Sequence, residues 1–180
     1  MPSMIDVQLK KLAFLTLLAS LVGSASALTV SVAPAEGATY AAPPDGTGSP
    51  LGYFVSGCLD VLYDSGCVVT DASPSRVSRN SWGTSSYALD KAKEGLVDYV
   101  IAVYVDWRPS TFHRTALLPV AVTYRLVRVL DGKLVGEGEV ADAVDSEESS
   151  TSFAKTASLA GASAARACMK LLSTLVMGGE

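Results

Sequence analysis

The amino-acid sequence predicts an α+β fold: a mixed sheet of about five strands with helices packed on it. The expected order is strand, helix, strand, helix, strand, strand, strand, helix. Three observations predict it. Val97–Trp107 (VDYVIAVYVDW) is apolar on both faces of an extended chain, as in a central strand covered on two sides. Leu51–Asp64 and Ser150–Met177 repeat apolar or small residues at spacings of three and four, the period of a helix with one buried face. Asp131-Gly132 separates two alternating runs, the mark of a hairpin.

The elements follow in order. Leu28–Val32 (LTVSV) alternates with β-branched residues and reads as a first strand. Ala33–Pro50 is rich in Pro, Gly and Ala and reads as a long loop. Leu51–Asp64 then forms a helix whose face carries Leu51, Phe54, Val55, Cys58, Leu59, Leu62 and Tyr63; Gly66 sits near its C-cap. Cys67–Thr70 is a short apolar strand. Asp71–Gly83 is polar and broken by Pro74, and reads as a loop. Ser85 or Ser86 can cap a helix over Tyr87–Leu96.

Val97–Trp107 is the strongest strand. Val97, Tyr99, Ile101, Val103, Val105 and Trp107 alternate with Val100, Ala102 and Tyr104. Arg108–Thr115 is a loop. Ala116–Leu130 and Lys133–Val140 complete an antiparallel meander, with Val120, Val122, Tyr124 and Leu126 on one face of the first. The last helix presents Phe153, Ala157, Ala160, Ala164, Ala167 or Cys168, Leu171 and Leu175, mostly small, so it can approach a sheet closely. The two strand–helix–strand units imply right-handed crossovers.

The 180 residues suit one domain preceded by an address. Met1–Ala27 reads as a cleavable secretory signal. Lys10 and Lys11 supply its basic start, Leu12–Val22 its apolar run, and Ala25-Ser26-Ala27 its cleavage site. That run is too short to span a bilayer, which takes roughly 20 apolar residues. The domain then occupies residues 28–180. No Cys stands at position 28 to carry a lipid, so the expectation is an exported, unanchored periplasmic protein. In an oxidising compartment Cys58 and Cys67 could form a disulfide across a short loop; the other reading of all three cysteines is as small buried hydrophobes.

Charged residues are 18% of the chain and the net charge is −4, which speaks against nucleic acid as partner. A single His, His113, leaves little for a histidine metal site. No cofactor or metal is expected. Asp60 and Asp64 share a helix face and read as solvated. Asp142, Asp145, Glu147 and Glu148 read as favouring the positive end of the last helix. The pairs Gly46/Gly48 and Gly136/Gly138 do not continue into a phosphate-binding motif. Arg76, Arg79 and Trp82 form a weak basic–aromatic cluster, read first as a solvated loop.

Four local patterns carry a resemblance. They are Val30–Pro34 (VSVAP), Gly66–Asp71 (GCVVTD), Val97–Ala102 (VDYVIA) and Tyr124–Val135 (YRLVRVLDGKLV), the last followed by an Ala-rich helix. Together they resemble the small periplasmic domain shared by the CsgG, TolB amino-terminal and LpoB group. Without an anchor or a second domain, the chain resembles an accessory domain such as FlgT. The resemblance implies a non-catalytic domain that binds protein partners, with oligomers within its range, in a cell-envelope or flagellar assembly. It brings no catalytic residues. The candidate contact residues are Trp107, Arg108 and Phe112, where the central strand leaves the sheet; aromatics beside an Arg are typical of interface hot spots. Closure of the core at the sheet end is the first reading of Trp107, as of Trp82 and Phe112, and the contact is the second. Two further functions are open at this point: a small-ligand or glycan binder using the Ala33–Pro50 region, and a weak hydrolase using His113.

Overall fold

In a computed structural model, the structure describes residues 27–37, 50–93, 95–109, 117–140 and 153–177. The sheet is mixed and open, with helices on both faces. Its strands are β1 (Thr29–Glu36), β2 (Val68–Asp71), β3 (Ser75–Arg76), β4 (Tyr99–Pro109), β5 (Leu117–Arg128) and β6 (Leu134–Val140). The helices are α1 (Pro50–Asp64), α2 (Arg79–Trp82), α3 (Ser85–Ala92) and α4 (Phe153–Met177). The spatial order is β2-β1-β4-β5-β6, with β3 also on β1.

β1 pairs in parallel with β2, β3 and β4, whereas β4, β5 and β6 form the expected antiparallel meander. β4 is central and buried on both faces. Ile101, Val103, Val105 and Trp107 join one core with Val30, Val32, Val122 and Leu126, beneath α1 and α4. Val100, Ala102 and Tyr104 join a second core with Ala33, Ala35, Trp82, Ala88 and Ala92, beneath α3. Val97 belongs to this second core rather than to the Ile101 face, because the strand begins only at Tyr99 and the chain turns at Leu96.

The structure departs from the sequence reading in further places. β1 runs past Val32 to Glu36, because Ala33 and Ala35 offer the small side chains that close packing beneath α3 needs. The polar stretch after Asp71 holds β3, so the sheet has six strands instead of five. β2 pairs with Thr29–Val32 and β3 with Ala35–Glu36. Pro74 separates the two stretches and has no N–H to give to a ladder. The same stretch holds α2, a single turn capped by Ser78, whose Oγ accepts from the Ser81 N–H at 3.2 Å. Helix α3 starts at Ser85 after an extended Thr84 and stops at Ala92, well short of Leu96.

The small face of α4 meets α1 as well as the sheet. Cβ atoms added at Gly57 and Gly161 would run into the backbones of Ser158 and Phe54, so the two helix backbones are in direct contact there. All three cysteines are buried free thiols, and no Cys58–Cys67 bridge is formed. Cys58 sits on the α1–α4 seam and donates to the Gly161 carbonyl at 3.1 Å, whereas the Cys67 sulfur lies 3.9 Å from the Met169 sulfur. Burial raises the Cys58 and Cys67 thiols and lifts Cys168 to about 12, which keeps them protonated. Among the described residues, no helix is long and apolar enough to cross a membrane.

Candidate protein-binding end of the sheet

The site begins with β4. Alternation along the strand puts Trp107 on the Ile101–Val105 side, which α1 and α4 cover. The structure buries it to 3% exposure, so Trp107 closes the core and is not itself a surface contact. Its indole N–H donates to Glu36 Oε2 at 3.0 Å. The other Glu36 oxygen accepts from Arg76 Nε at 3.3 Å. A chain of two charge-assisted contacts thus ties the exit of β4 to the ends of β1 and β3. A register shift between Asp106 and Trp107 bends the ladder here, as bulges do where a strand must re-aim a side chain.

Arg108 follows at the exit and is half-buried. Its backbone pairs with Leu118, and that of Pro109 with Leu117, so the position is held by the ladder. Phe112 and His113, with the rest of residues 110–116, lie outside the described residues. So do residues 38–49, the middle of the Ala33–Pro50 region of the small-ligand reading, whose ends belong to β1 and α1, and the acidic residues Asp142, Asp145, Glu147 and Glu148. Asp60 and Asp64 are exposed on α1. Among the described residues, no group of three His, Cys, Asp or Glu side chains is placed to hold a metal.

The basic–aromatic cluster is structural. Arg79 donates to Asp106 Oδ2 at 3.1 Å and to Thr123 Oγ1 at 2.8 Å, with its guanidinium 6.0 Å above the Tyr104 ring. Trp82 is buried and packs on Tyr104 with centroids 5.6 Å apart. Arg125 lies 6.0 Å over the Trp82 ring, donates to the Gly83 carbonyl and pairs with Glu137 at 3.1 Å. The Arg76, Arg79 and Trp82 spacing was visible in the sequence. Their partners Glu36, Asp106 and Tyr104 lie on other strands, so the sequence carried no sign of the pairing. Burial, reinforced by Asp106, raises the Tyr104 phenol.

At the other end of the sheet, an open cleft of about 550 Å³ is lined in part by Leu28, Leu96, Asp98, Tyr99, Arg128 and Leu130. The sequence reading placed nothing there. Asp98 accepts from the Thr29 N–H at 2.9 Å and from Thr29 Oγ1 at 2.6 Å, which holds its carboxyl below the usual range. Arg128 makes two bonds to Asp131, at 2.9 and 2.6 Å. That pairing raises the guanidinium and lowers Asp131 to about 2. These carboxylates are held ionised by their neighbours and are poor proton donors at neutral pH.

No protein-family model and no curated protein matches the chain. Solved structures similar to it include the PelC dodecamer of Paraburkholderia phytofirmans, 20% identical over 76% of this chain and 83% of that one, with a TM-score of 0.44. TolB of Acinetobacter baumannii is 10% identical over 81% of this chain and 28% of its own, with a TM-score of 0.42. The C-terminal domain of LpoB from Escherichia coli is 12% identical over 69% of this chain and 90% of its own, with a TM-score of 0.37. These three are structures to which the chain is similar.

Proposed function

We propose that this chain is a non-catalytic accessory domain, exported to the periplasm without a lipid anchor, that binds a protein partner in a cell-envelope or flagellar assembly. The contact runs through the loop that leaves β4, with Arg108 and Phe112 as the binding side chains and Trp107 as their fixed base. The observation that supports this reading most is the anchoring of Trp107. Core packing and the Glu36 bond hold the end of β4 in place, and Arg108 follows on a backbone paired in the ladder. An Arg next to an aromatic offers a charged handle and a large apolar area.

Arg108→Ala and Phe112→Ala should each weaken partner binding by about 2 kcal/mol, roughly thirtyfold, with little change in melting temperature. Trp107→Ala should behave in the opposite way, losing about 3–5 kcal/mol of stability as a buried aromatic does. The partner is first captured from the periplasm, and affinity and melting are then measured on the same preparations. If the Arg108 and Phe112 variants bind as tightly as the parent, or lose binding only by unfolding, the interface is elsewhere.

A further inference from the structure

The outer surface of the α1–α4 layer places its charges differently from the sheet. On the sheet, charges meet within the chain: Arg79 with Asp106, Arg125 with Glu137 and Arg128 with Asp131. On the helix layer they are sorted by helix. Asp60 and Asp64 are the charged residues of α1, which has no Lys or Arg. Lys155, Arg166 and Lys170 are those of α4, which has no Asp or Glu. All five are exposed. Among the described residues, Asp60, Asp64, Arg166 and Lys170 form no ion pair.

Helical periodicity lines these residues up. Gly52, Ser56, Asp60 and Asp64 recur every four residues along α1, and all four are exposed. Lys155, Leu159, Arg166 and Lys170 recur at spacings of four and seven along α4, again all exposed. Tyr53 meets Phe153 near the starts of the two helices, with ring centroids 5.8 Å apart. Cys67, just past α1, meets Met169 at 3.9 Å. The helices therefore run parallel and the two stripes keep step. The small residues Gly52 and Ser56 lie at the height of Leu159, and the acidic pair at the height of the basic pair.

A two-fold axis alongside the helices, in the plane between two such layers, lays α1 of one copy on α4 of the other. Every residue stays at its own height. Leu159, 50% exposed, then meets the Gly52–Ser56 stretch of the second copy, where a Cβ on Gly52 would touch nothing within its own chain. Arg166 and Lys170 meet the Asp60 and Asp64 of the second copy, and symmetry repeats each contact. The other in-plane axis would set acid on acid and base on base. The net charge of −4 keeps copies apart in general, so opposite charges must be brought together locally. α1 is about 22 Å long and two packed helices span about 20 Å. That is a patch at the small end of specific interfaces, so the pairing should be weak and sensitive to salt.

We propose that the α1–α4 layer is a self-complementary docking surface for a second copy of this chain, paired α1 to α4 about a two-fold axis. This goes beyond the partner-binding reading, which concerns the exit of β4.

The test is sedimentation equilibrium of the protein expressed from the full chain, at micromolar concentrations and at low and high salt. The parent should dimerise at low salt and dissociate at high salt. Asp60→Lys with Asp64→Lys leaves both stripes basic, whereas Arg166→Glu with Lys170→Glu leaves this half of both stripes acidic. Each double variant alone should self-associate at least ~10-fold more weakly, because attraction becomes repulsion and every substitution counts twice. The sites are exposed, so melting temperatures should match the parent's. Mixed in equal amounts, the two double variants should pair with each other as tightly as the parent does with itself. All four substitutions in one chain exchange the charges and should restore self-association. The proposal is overturned by a parent that stays monomeric, or by an association that salt leaves intact. It is equally overturned by double variants that self-associate like the parent, or by a mixture that does not pair. The salt dependence of the parent needs no substitution, so a variant that fails to fold leaves the proposal open to refutation.

Discussion

Gly57 and Gly161 set how closely α1 and α4 approach. A Cβ at Gly161 would enter the Phe54 carbonyl, and backbone cannot rotate away as a side chain can. Gly161→Ala should therefore cost about 1–3 kcal/mol through overpacking. Gly52, on α1 with open space around it, should gain roughly 0.5–1 kcal/mol on mutation to Ala. Melting of the two variants checks both signs. At the same scale, Asp98 and Asp131 both titrate lower in the folded protein than in the unfolded chain, where a carboxyl sits near ~3.9. Their contribution to stability is complete above that value and is lost as pH falls through the folded values. For Asp131 the loss spans roughly pH 4 down to about 2. Arg128→Ala should flatten this part of the pH–stability curve, and Thr29→Ala should do so in part, because the backbone N–H of residue 29 still reaches Asp98. Urea midpoints measured against pH read the difference.

β4 carries both cores, so one substitution in it tests the architecture. Ile101 is fully buried between β1 and β5, under α1 and α4. Ile101→Asp places an unpaired charge there and should cost roughly 3–5 kcal/mol, enough to unfold a marginal domain. An unchanged melting temperature would mean that the strand is not central. The other elements show where local signals suffice. β5 and β6 were legible because period-2 alternation on each side of Asp131-Gly132 is a local property. β3 and α2 were not. Two paired residues and a single helical turn have no period of their own, and they form because β1 and Tyr104 supply their partners.

The whole molecule is a sheet between two helical layers, with different chemistry at its two ends. One end closes on Trp107, Glu36 and Arg76 and is firmly tied. The other opens on Leu28, Leu96 and Leu130. The export reading makes a prediction at this scale. Ala25-Ser26-Ala27 should direct cleavage, so the exported protein should begin at Leu28 and carry no lipid. Amino-terminal sequencing and an intact mass decide it, and an uncleaved Met1 would refute it. Cleavage there would leave Thr29 free to bond Asp98 at the very start of β1.

By itself the sequence determined the fold class, the central strand, the meander and the two long helices. Each is written in the spacing of apolar residues along one segment, and burial enforces that spacing. The candidate site was legible only as residue types at a strand exit: Trp107 and Arg108 were visible, and closure of the core was a reading of the tryptophan, but not what holds it there. The tertiary structure decided that through Glu36, 71 residues away. It likewise decided the direct contact of α1 with α4, the separate surroundings of Cys58 and Cys67, and the gathering of Leu28, Leu96 and Leu130 at one cleft. All of these join residues far apart in the chain, and a local pattern carries no information about which distant segment will supply the other half of a contact.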